Sequence, residues 1–126
     1  MVVSGLDGYD EISLCAPTQI TELQNGSIKT YIFNPIEVGL DFVNHSLLQG
    51  GDSQENLQIT LDIFNAKPSP KLDLVALNMG AALYLCNQAQ NIKEGFFKAK
   101  EIIQSKEVFS LLESFKTLSN QCPTKD

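Results

Sequence analysis

The glycine-punctuated stretch from Gly5 to Glu11 concentrates the residue types that could do chemistry. Asp10 and Glu11 are adjacent carboxylates, and in a loop at the carboxyl end of a strand they can converge on a hard cation. Mg²⁺ suits such a pair because it takes one or two carboxylates together with substrate phosphate oxygens and keeps several waters. The pair is a candidate magnesium site, and a solvated acidic turn is the alternative interpretation of the same residue types.

Three other positions invite a functional interpretation. Gly50, Gly51 and Asp52 open a helix, where amide hydrogens can hold a phosphate, but Asp52 supplies its own negative group and is interpreted as a cap. His45 has no Cys or acidic residue at triad or ligand spacing, so we expect a surface or locally hydrogen-bonded histidine. Cys86 lies on an apolar helix and is expected to be a small buried hydrophobe.

The three cysteines give no recognisable pattern: Cys15, Cys86 and Cys122 are odd in number, far apart and without C-x-x-C spacing. Neither a disulfide framework nor a zinc site is therefore expected. The chain also contains no glycine-rich phosphate loop, no Ser-His-Asp set and no basic-aromatic strip. The residues alone therefore indicate one candidate Mg²⁺ loop and no particular reaction.

Composition limits the classes of partner. The 9 Lys and Arg against 15 Asp and Glu give a formal net charge of −6, which argues against a general nucleic-acid surface. The nearly apolar run from Leu74 to Cys86 is shorter than the roughly 20 residues of a membrane span. The first residues lack both a basic head and a sustained apolar stretch, so they are not a signal peptide and a cytoplasmic protein is expected.

The first third of the chain predicts strands. Residues 1–4 have the character of the end of a buried strand that stops at Gly5. Thr18–Leu23 and Ile28–Phe33 are rich in β-branched and aromatic residues and flank the turn pair Asn25-Gly26, so they predict a β-hairpin that Pro35 ends. No partner is evident for the first strand, which suggests a piece of a larger α/β domain with a segment missing upstream.

From Gly50 onward the apolar period changes to about 3.6 and predicts helices. The first helix is expected over Ser53–Asn65, capped by Asp52 with Glu55. A central buried helix is expected over Leu72–Ala89, where Gly80, Ala81 and Ala82 permit close approach. A third helix follows the cap pattern of Asn91 and Glu94, and a fourth continues from Val108 to Leu118 after a break near Ser105. The tail after Ser119 is polar and expected to fray.

The order of these segments resembles the C-terminal portion of anthranilate phosphoribosyltransferase from residue 1 to about residue 118. Three separate motifs carry the resemblance: Gly-x-Asp-Gly-x-Asp-Glu-Ile-Ser, Gly-Gly-Asp-x-x-x-Asn and the helix Leu-Asn-x-x-x-Ala-Leu-Tyr. The resemblance implies the C-terminal part of the α/β domain of phosphoribosyltransferase and nucleoside phosphorylase type, a strand plus hairpin followed by about four helices. Residues 1–126 would then be one segment of a single larger catalytic domain.

The resemblance also implies an activity: transfer of phosphoribose from phosphoribosyl pyrophosphate to anthranilate in tryptophan biosynthesis. Family enzymes are Mg²⁺-dependent homodimers, and their Asp-Glu pair, matched here by Asp10 and Glu11, holds magnesium at the diphosphate. The family's N-terminal helical region, glycine-rich loop and anthranilate pocket have no match in this chain. No catalytic residue is therefore identified, and the chain alone is expected to be inactive.

The sequence departs from the family at four positions. Ser4 stands where His is frequent, Ala16 where Gly is frequent, and Leu57 and Lys106 are bulkier than the family's usual Ala and Gly. Three alternatives remain: a non-catalytic nucleic-acid-binding relative of the same fold, a nucleoside phosphorylase relative, and a structural module without a ligand. The net charge and the intact Asp10-Glu11 pair count against the first.

Overall fold

The computed structural model describes residues 1–121 as three strands followed by four helices, with two short 3-10 helices between them. The strands are β1 (Val2–Gly5), β2 (Thr18–Gln24) and β3 (Ser27–Phe33), and the helices are α1 (Ser53–Phe64), α2 (Pro70–Leu85), α3 (Ile92–Ser105) and α4 (Glu107–Gln121). The 3-10 helices, Pro35–Val38 and His45–Leu47, are elements that the sequence analysis did not predict. The α/β class with a hairpin and four helices is confirmed.

The three strands form one antiparallel sheet in the order β1-β2-β3. The expectation of an unpaired first strand is wrong, because Val3 pairs with Ile20 and Gly5 with Thr18. The expectation of a buried strand is also wrong at Val2, whose exposed fraction is 70%. Side chains alternate across a strand, and within residues 1–121 the helices cover one face of this sheet, so half of the β1 side chains point away from the core.

The β2–β3 hairpin forms as predicted. Gln24 pairs with Ser27, so the turn contains only Asn25 and Gly26. Both residues have positive φ angles, 50° and 79°, as a type I′ turn requires. Because this turn matches the twist of the strands, two adjacent residues are sufficient to fix the register of the hairpin.

One hydrophobic core joins the inner face of the sheet to the helices. Burial of each large apolar side chain contributes about 1.5–3 kcal/mol, so this cluster dominates the stability of the fold. Its fully buried members come from the sheet, from the loop that precedes β2 and from the middle of α2 and α3: Ile12, Leu14, Ile20, Ala76, Leu77 and Ala99.

The predicted close approach of α2 to its neighbour is confirmed at Gly80. A Cβ atom at this position would collide with the backbone of Phe96 in α3, and one at Gly95 would collide with the Gly80 carbonyl. Only glycine on both helices therefore permits this backbone contact. Ala81 is buried beside it, whereas Ala82 is exposed and takes no part.

The second helix ends at Leu85, before the predicted end at Ala89. Asn87 adopts a left-handed φ of 57°, and the Gln88 amide donates to the Leu83 carbonyl at 2.8 Å. This arrangement is a Schellman motif, in which a left-handed residue closes the last helical turn and satisfies its carbonyls. The apolar pattern alone does not reveal the stop.

The early end of α2 changes the environment of Cys86. This residue is the C-terminal cap of the helix and is exposed. The expectation of a buried Cys86 is therefore wrong, because the buried face of α2 runs from Leu72 to Ala81 and does not reach the cap.

The predicted break near Ser105 is confirmed, since α3 ends there and α4 begins at Glu107. Lys106 lies between them with a φ of 61°, in the left-handed region that favours glycine. The fraying expected after Ser119 is wrong as far as Gln121, which is helical, and residues 122–126 lie outside the described residues.

Asn78 in α2 fixes the loop that carries the acidic residues. Its Oδ1 accepts a hydrogen bond from the Ile12 amide at 2.9 Å, and its Nδ2 donates to the Ile12 carbonyl at 3.0 Å. The same Nδ2 also donates to the Leu74 carbonyl at 3.1 Å. One side chain thus satisfies both backbone polar groups of the residue that follows Glu11.

Replacing Asn78 with Ala should destabilise the chain by about 1–3 kcal/mol, because it leaves the Ile12 amide and carbonyl without partners in a partly buried site. Gln58→Ala is the control, since it removes one exposed hydrogen bond to Asp62. Urea unfolding followed by circular dichroism measures both changes, and hydrogen exchange should show faster loss of the Ile12 amide in Asn78→Ala. Equal unfolding midpoints in the two variants would show that Asn78 does not anchor the loop.

Candidate metal site in the loop after β1

The loop from Leu6 to Pro17 is folded tightly on itself. The Gly5 amide donates to the Tyr9 carbonyl at 2.8 Å, and the Leu6 amide donates to the Pro17 carbonyl at 2.9 Å. Gly8 has a φ of 94°, which a residue with a side chain rarely adopts. These bonds hold the loop at the carboxyl end of β1, as the sequence predicts.

Asp10 and Glu11 lie on the outer part of this loop. Asp10 is exposed and Glu11 is half-buried. Burial raises the pKa of Glu11, and the neighbouring charge of Asp10 raises it further. The two carboxyl groups are therefore close enough to repel each other, which is the arrangement that a divalent cation would stabilise.

Asp7 behaves differently from the other two acids of the stretch. Its side chain is only 8% exposed and accepts a 2.5 Å hydrogen bond from the Ser13 hydroxyl. Burial by itself raises the pKa of Asp7, but hydrogen bonds from Ser13 and from the Tyr9 amide outweigh it and leave the pKa below its usual value. The sequence analysis assigned no separate role to this inward carboxylate.

His45 lies beside Asp7, although the sequence places no acid or cysteine at ligand spacing from it. Its Nε2 is 3.8 Å from Asp7 Oδ2, and its ring stacks on Tyr9 with centroids 5.3 Å apart. The expected surface position is confirmed, because the side chain is 50% exposed. Spacing in the sequence does not indicate that His45 lies near Asp7 and Tyr9, because the second 3-10 helix, which carries His45, meets the loop only in the folded chain.

Cys15 completes a group of three candidate metal ligands with Asp7 and His45. Their ligand atoms all lie within 4.8 Å of one another. Burial raises the pKa of the Cys15 thiol, and the charge of Asp7 raises it further, although a hydrogen bond involving Ser13 opposes the shift. The sequence analysis expects no zinc site, since the three residues match no ligand spacing.

The segment around Gly51 is a local cap, as interpreted from the sequence. Asp52 Oδ1 accepts hydrogen bonds from the Gln54 and Glu55 amides, each at 2.9 Å. Asn56 bonds back to both backbone groups of Gly51, at 3.1 Å to the amide and 2.9 Å to the carbonyl. The amides of Gln54 and Glu55 in the first turn of α1 are thus already occupied by the side chain of Asp52, which favours the interpretation as a cap over a phosphate site.

Among residues 1–121, no helix is long and apolar enough to cross a bilayer.

Comparison with known sequences identifies the relatives of this chain. The glycosyl transferase family, α/β domain, matches residues 1–108. The anthranilate phosphoribosyltransferase of Desulfatibacillum aliphaticivorans is 44% identical over 113 residues, which are 90% of this chain and 33% of that protein. The anthranilate phosphoribosyltransferase of Desulfitobacterium hafniense is 42% identical over 116 residues, 92% of this chain and 34% of that protein.

Solved structures agree with the sequence relatives. The anthranilate phosphoribosyltransferase of Thermus thermophilus superposes with a TM-score of 0.80 at 32% identity, over 90% of this chain and 33% of that one. The enzyme of Saccharomyces cerevisiae in complex with PRPP and Mg has a TM-score of 0.80 at 28% identity, with the same coverage. The chain spans about a third of the length of these relatives. The resemblance expected from its motifs is confirmed, and the chain belongs to the glycosyl transferase family, in its α/β domain.

Proposed function

We propose that residues 1–126 are the C-terminal segment of a larger α/β catalytic domain that transfers phosphoribose from phosphoribosyl pyrophosphate to anthranilate. The reaction releases pyrophosphate and belongs to tryptophan biosynthesis, as the names of the relatives suggest. The observation that carries the proposal is the Asp10-Glu11 pair, held on an ordered loop at the end of β1 in a chain similar to these enzymes. The cofactor of the proposed reaction is Mg²⁺.

In the proposed mechanism Asp10 and Glu11 bind magnesium at the diphosphate. When bound, magnesium neutralises the negative charge that builds on the departing pyrophosphate. Burial raises the pKa of Glu11, and repulsion from Asp10 raises it further, so a cation held by the two carboxyl groups would relieve an unfavourable concentration of negative charge. Asn78 positions the pair by fixing Ile12. No nucleophile from the chain is needed, because the amine of the acceptor attacks the ribose and the enzyme acts by positioning and electrostatic stabilisation.

The proposed partners are the two substrates and, for the complete enzyme, a second copy of itself. We propose that it binds neither nucleic acid nor a membrane and that it acts in the cytoplasm. Structures of the Saccharomyces cerevisiae relative in complex with PRPP and Mg, and with 4-fluoroanthranilate, support the choice of substrates. The glycine-rich loop and acceptor pocket of the family have no match in this sequence. We therefore propose that this chain alone is inactive.

The outer face of the sheet supports the proposal of a larger domain. Four apolar residues on this face are 48–75% exposed: Val2, Leu23, Ile28 and Ile32. Leu23 and Ile28 are directly paired across β2 and β3, so they form a continuous apolar patch. Exposed apolar residues on a sheet of residues 2–33 whose two edge strands are open favour packing against another polypeptide segment.

The isolated chain should self-associate through this outer face. Sedimentation velocity should show dimers or larger species at micromolar concentration, and Ile28→Lys should shift the chain toward monomer because it places a charge in the patch. Leu57→Lys is the matched control, since Leu57 is 58% exposed on α1, away from the sheet. A monomeric parent chain, or equal effects of the two substitutions, would contradict self-association through the outer face of the sheet.

The isolated chain should give no turnover with Mg²⁺, phosphoribosyl pyrophosphate and anthranilate. The loss of anthranilate fluorescence follows the reaction directly. Turnover above a blank without protein would refute the proposal that contacts from outside this chain are required.

The role of the acidic pair is testable in a complete enzyme. The matched third of the Desulfatibacillum aliphaticivorans relative can be replaced by the corresponding residues of this chain. The chimera should turn over, and Asp10→Asn with Glu11→Gln should lower kcat about a hundredfold or more, since metal stabilisation of the leaving group contributes several kcal/mol. The KM for anthranilate should change little, because the ion acts on the departing diphosphate.

Asp41→Asn with Glu101→Gln is the control pair, because it removes the same charge at two exposed positions outside the loop. This variant should keep the turnover and the Mg²⁺ dependence of the parent chimera. If the Asp10 and Glu11 variant also keeps both, the loop is a solvated acidic turn. A folded chimera without turnover, as judged by circular dichroism, would contradict the assignment of this chain to the reaction.

A further inference from the structure

The proposed reaction leaves one group of reactive side chains unused. Asp7, Cys15 and His45 place a carboxylate oxygen, a thiol sulfur and an imidazole nitrogen within 4.8 Å of one another. They come from three separate places: the turn after β1, the approach to β2 and the second 3-10 helix. Two of the three are shielded from solvent, and His45 forms the accessible side.

The chemistry of this donor set differs from that of Asp10 and Glu11. A thiolate and an imidazole are ligands for zinc and similar transition metals, whereas Mg²⁺ prefers oxygen alone. Zinc bound by three protein side chains keeps a fourth position for water or another ligand. The charges also balance, because one carboxylate and one thiolate neutralise a divalent ion while the imidazole remains neutral.

The surrounding residues orient the three donors. The Ser13 hydroxyl donates to Asp7 Oδ2 at 2.5 Å, and Ser13 Oγ accepts from the Cys15 amide at 2.9 Å. Ser13 therefore holds the Asp7 carboxylate and the backbone of Cys15, in the way that residues behind metal ligands commonly orient them. The ring of Tyr9 stacks on the third donor, His45, with an interplanar angle of 14°.

The distances are compatible with a common metal ion. Ligand atoms around tetrahedral zinc are separated by about 3.3–3.8 Å, given metal–ligand bonds of about 2.0–2.3 Å. Asp7 Oδ2 and His45 Nε2 are already 3.8 Å apart. The sulfur of Cys15 lies within 4.8 Å of both, and His45 is half exposed on a short 3-10 helix, so its ring has room to adjust to an ion.

We propose that Asp7, Cys15 and His45 form a second metal site, selective for Zn²⁺ over Mg²⁺, with one coordination position open to solvent. This site is independent of the Asp10-Glu11 pair in its donor atoms. Its test therefore requires no enzymatic activity and does not depend on the proposed transferase function.

The test is a Co²⁺ titration of the full chain followed by absorption spectroscopy. A near-ultraviolet thiolate-to-cobalt charge-transfer band should appear, and Zn²⁺ should abolish it, whereas an excess of Mg²⁺ should not. Cys15→Ser should eliminate the band. His45→Gln should weaken Co²⁺ and Zn²⁺ binding about tenfold or more, since loss of supporting interactions around a metal alone costs that much.

Cys86→Ser is the matched control, because Cys86 is an exposed cysteine at the end of α2, outside the group, and its replacement should leave the band unchanged. Circular dichroism establishes that every variant is folded, and His45→Gln provides a variant at an exposed position if Cys15→Ser unfolds. The proposal is overturned if the parent chain gives no band, if a control abolishes it, or if folded His45→Gln binds Zn²⁺ as tightly as the parent chain does.

Discussion

The side chain of Asn78 ties together the two parts of the molecule on which the candidate site depends. It satisfies both the amide and the carbonyl of Ile12, at a sequence separation of 66 residues. A primary amide is suited to this task because it offers an acceptor and a donor in one plane. The loop after β1 thereby takes its position from α2, and α2 in turn is held against α3 by the glycine contact at Gly80 and Gly95.

The loop contains acidic residues with opposite electrostatic environments. Glu11 is half-buried beside another carboxylate, so its pKa is raised. Asp7 is partly buried too, yet hydrogen bonds from Ser13 and Tyr9 stabilise its charged form and lower its pKa. The opposite pKa shifts of Glu11 and Asp7 therefore depend on hydrogen-bond donors rather than on burial. It separates the outward pair, Asp10 and Glu11, which we propose as the magnesium ligands, from an inward carboxylate that lies beside a thiol and an imidazole.

The helices cover one face of the sheet and leave the other open. Inward-facing Thr18 and Ile20 are completely buried, whereas Leu23 on the opposite face of β2 is 69% exposed. The same alternation that gives the sheet its core face therefore places four exposed apolar side chains on its outer face. This asymmetry agrees with a chain that spans about a third of the length of its relatives.

The sequence by itself determined the features that depend on neighbouring residues. The turn at Asn25 and Gly26 and the helix caps at Asp52 and Asn91 were predictable, because each is decided by backbone geometry and hydrogen bonds within a few positions. The apolar period likewise located all four helices. The Asp-Glu pair was recognisable because its residues are adjacent and its motif resembles a known family.

Only the tertiary structure decided the remaining features. The pairing of β1 with β2 and the meeting of Asp7, Cys15 and His45 join positions that are distant in the chain. Packing of the whole core brings such positions together, and no pattern among neighbouring residues predicts these contacts. The exposure of Cys86 follows from the left-handed backbone of Asn87, a conformation that Asn tolerates but does not require. Periodicity can therefore show which face of a helix is apolar, but the backbone and its distant contacts determine where that face ends and what lies against it.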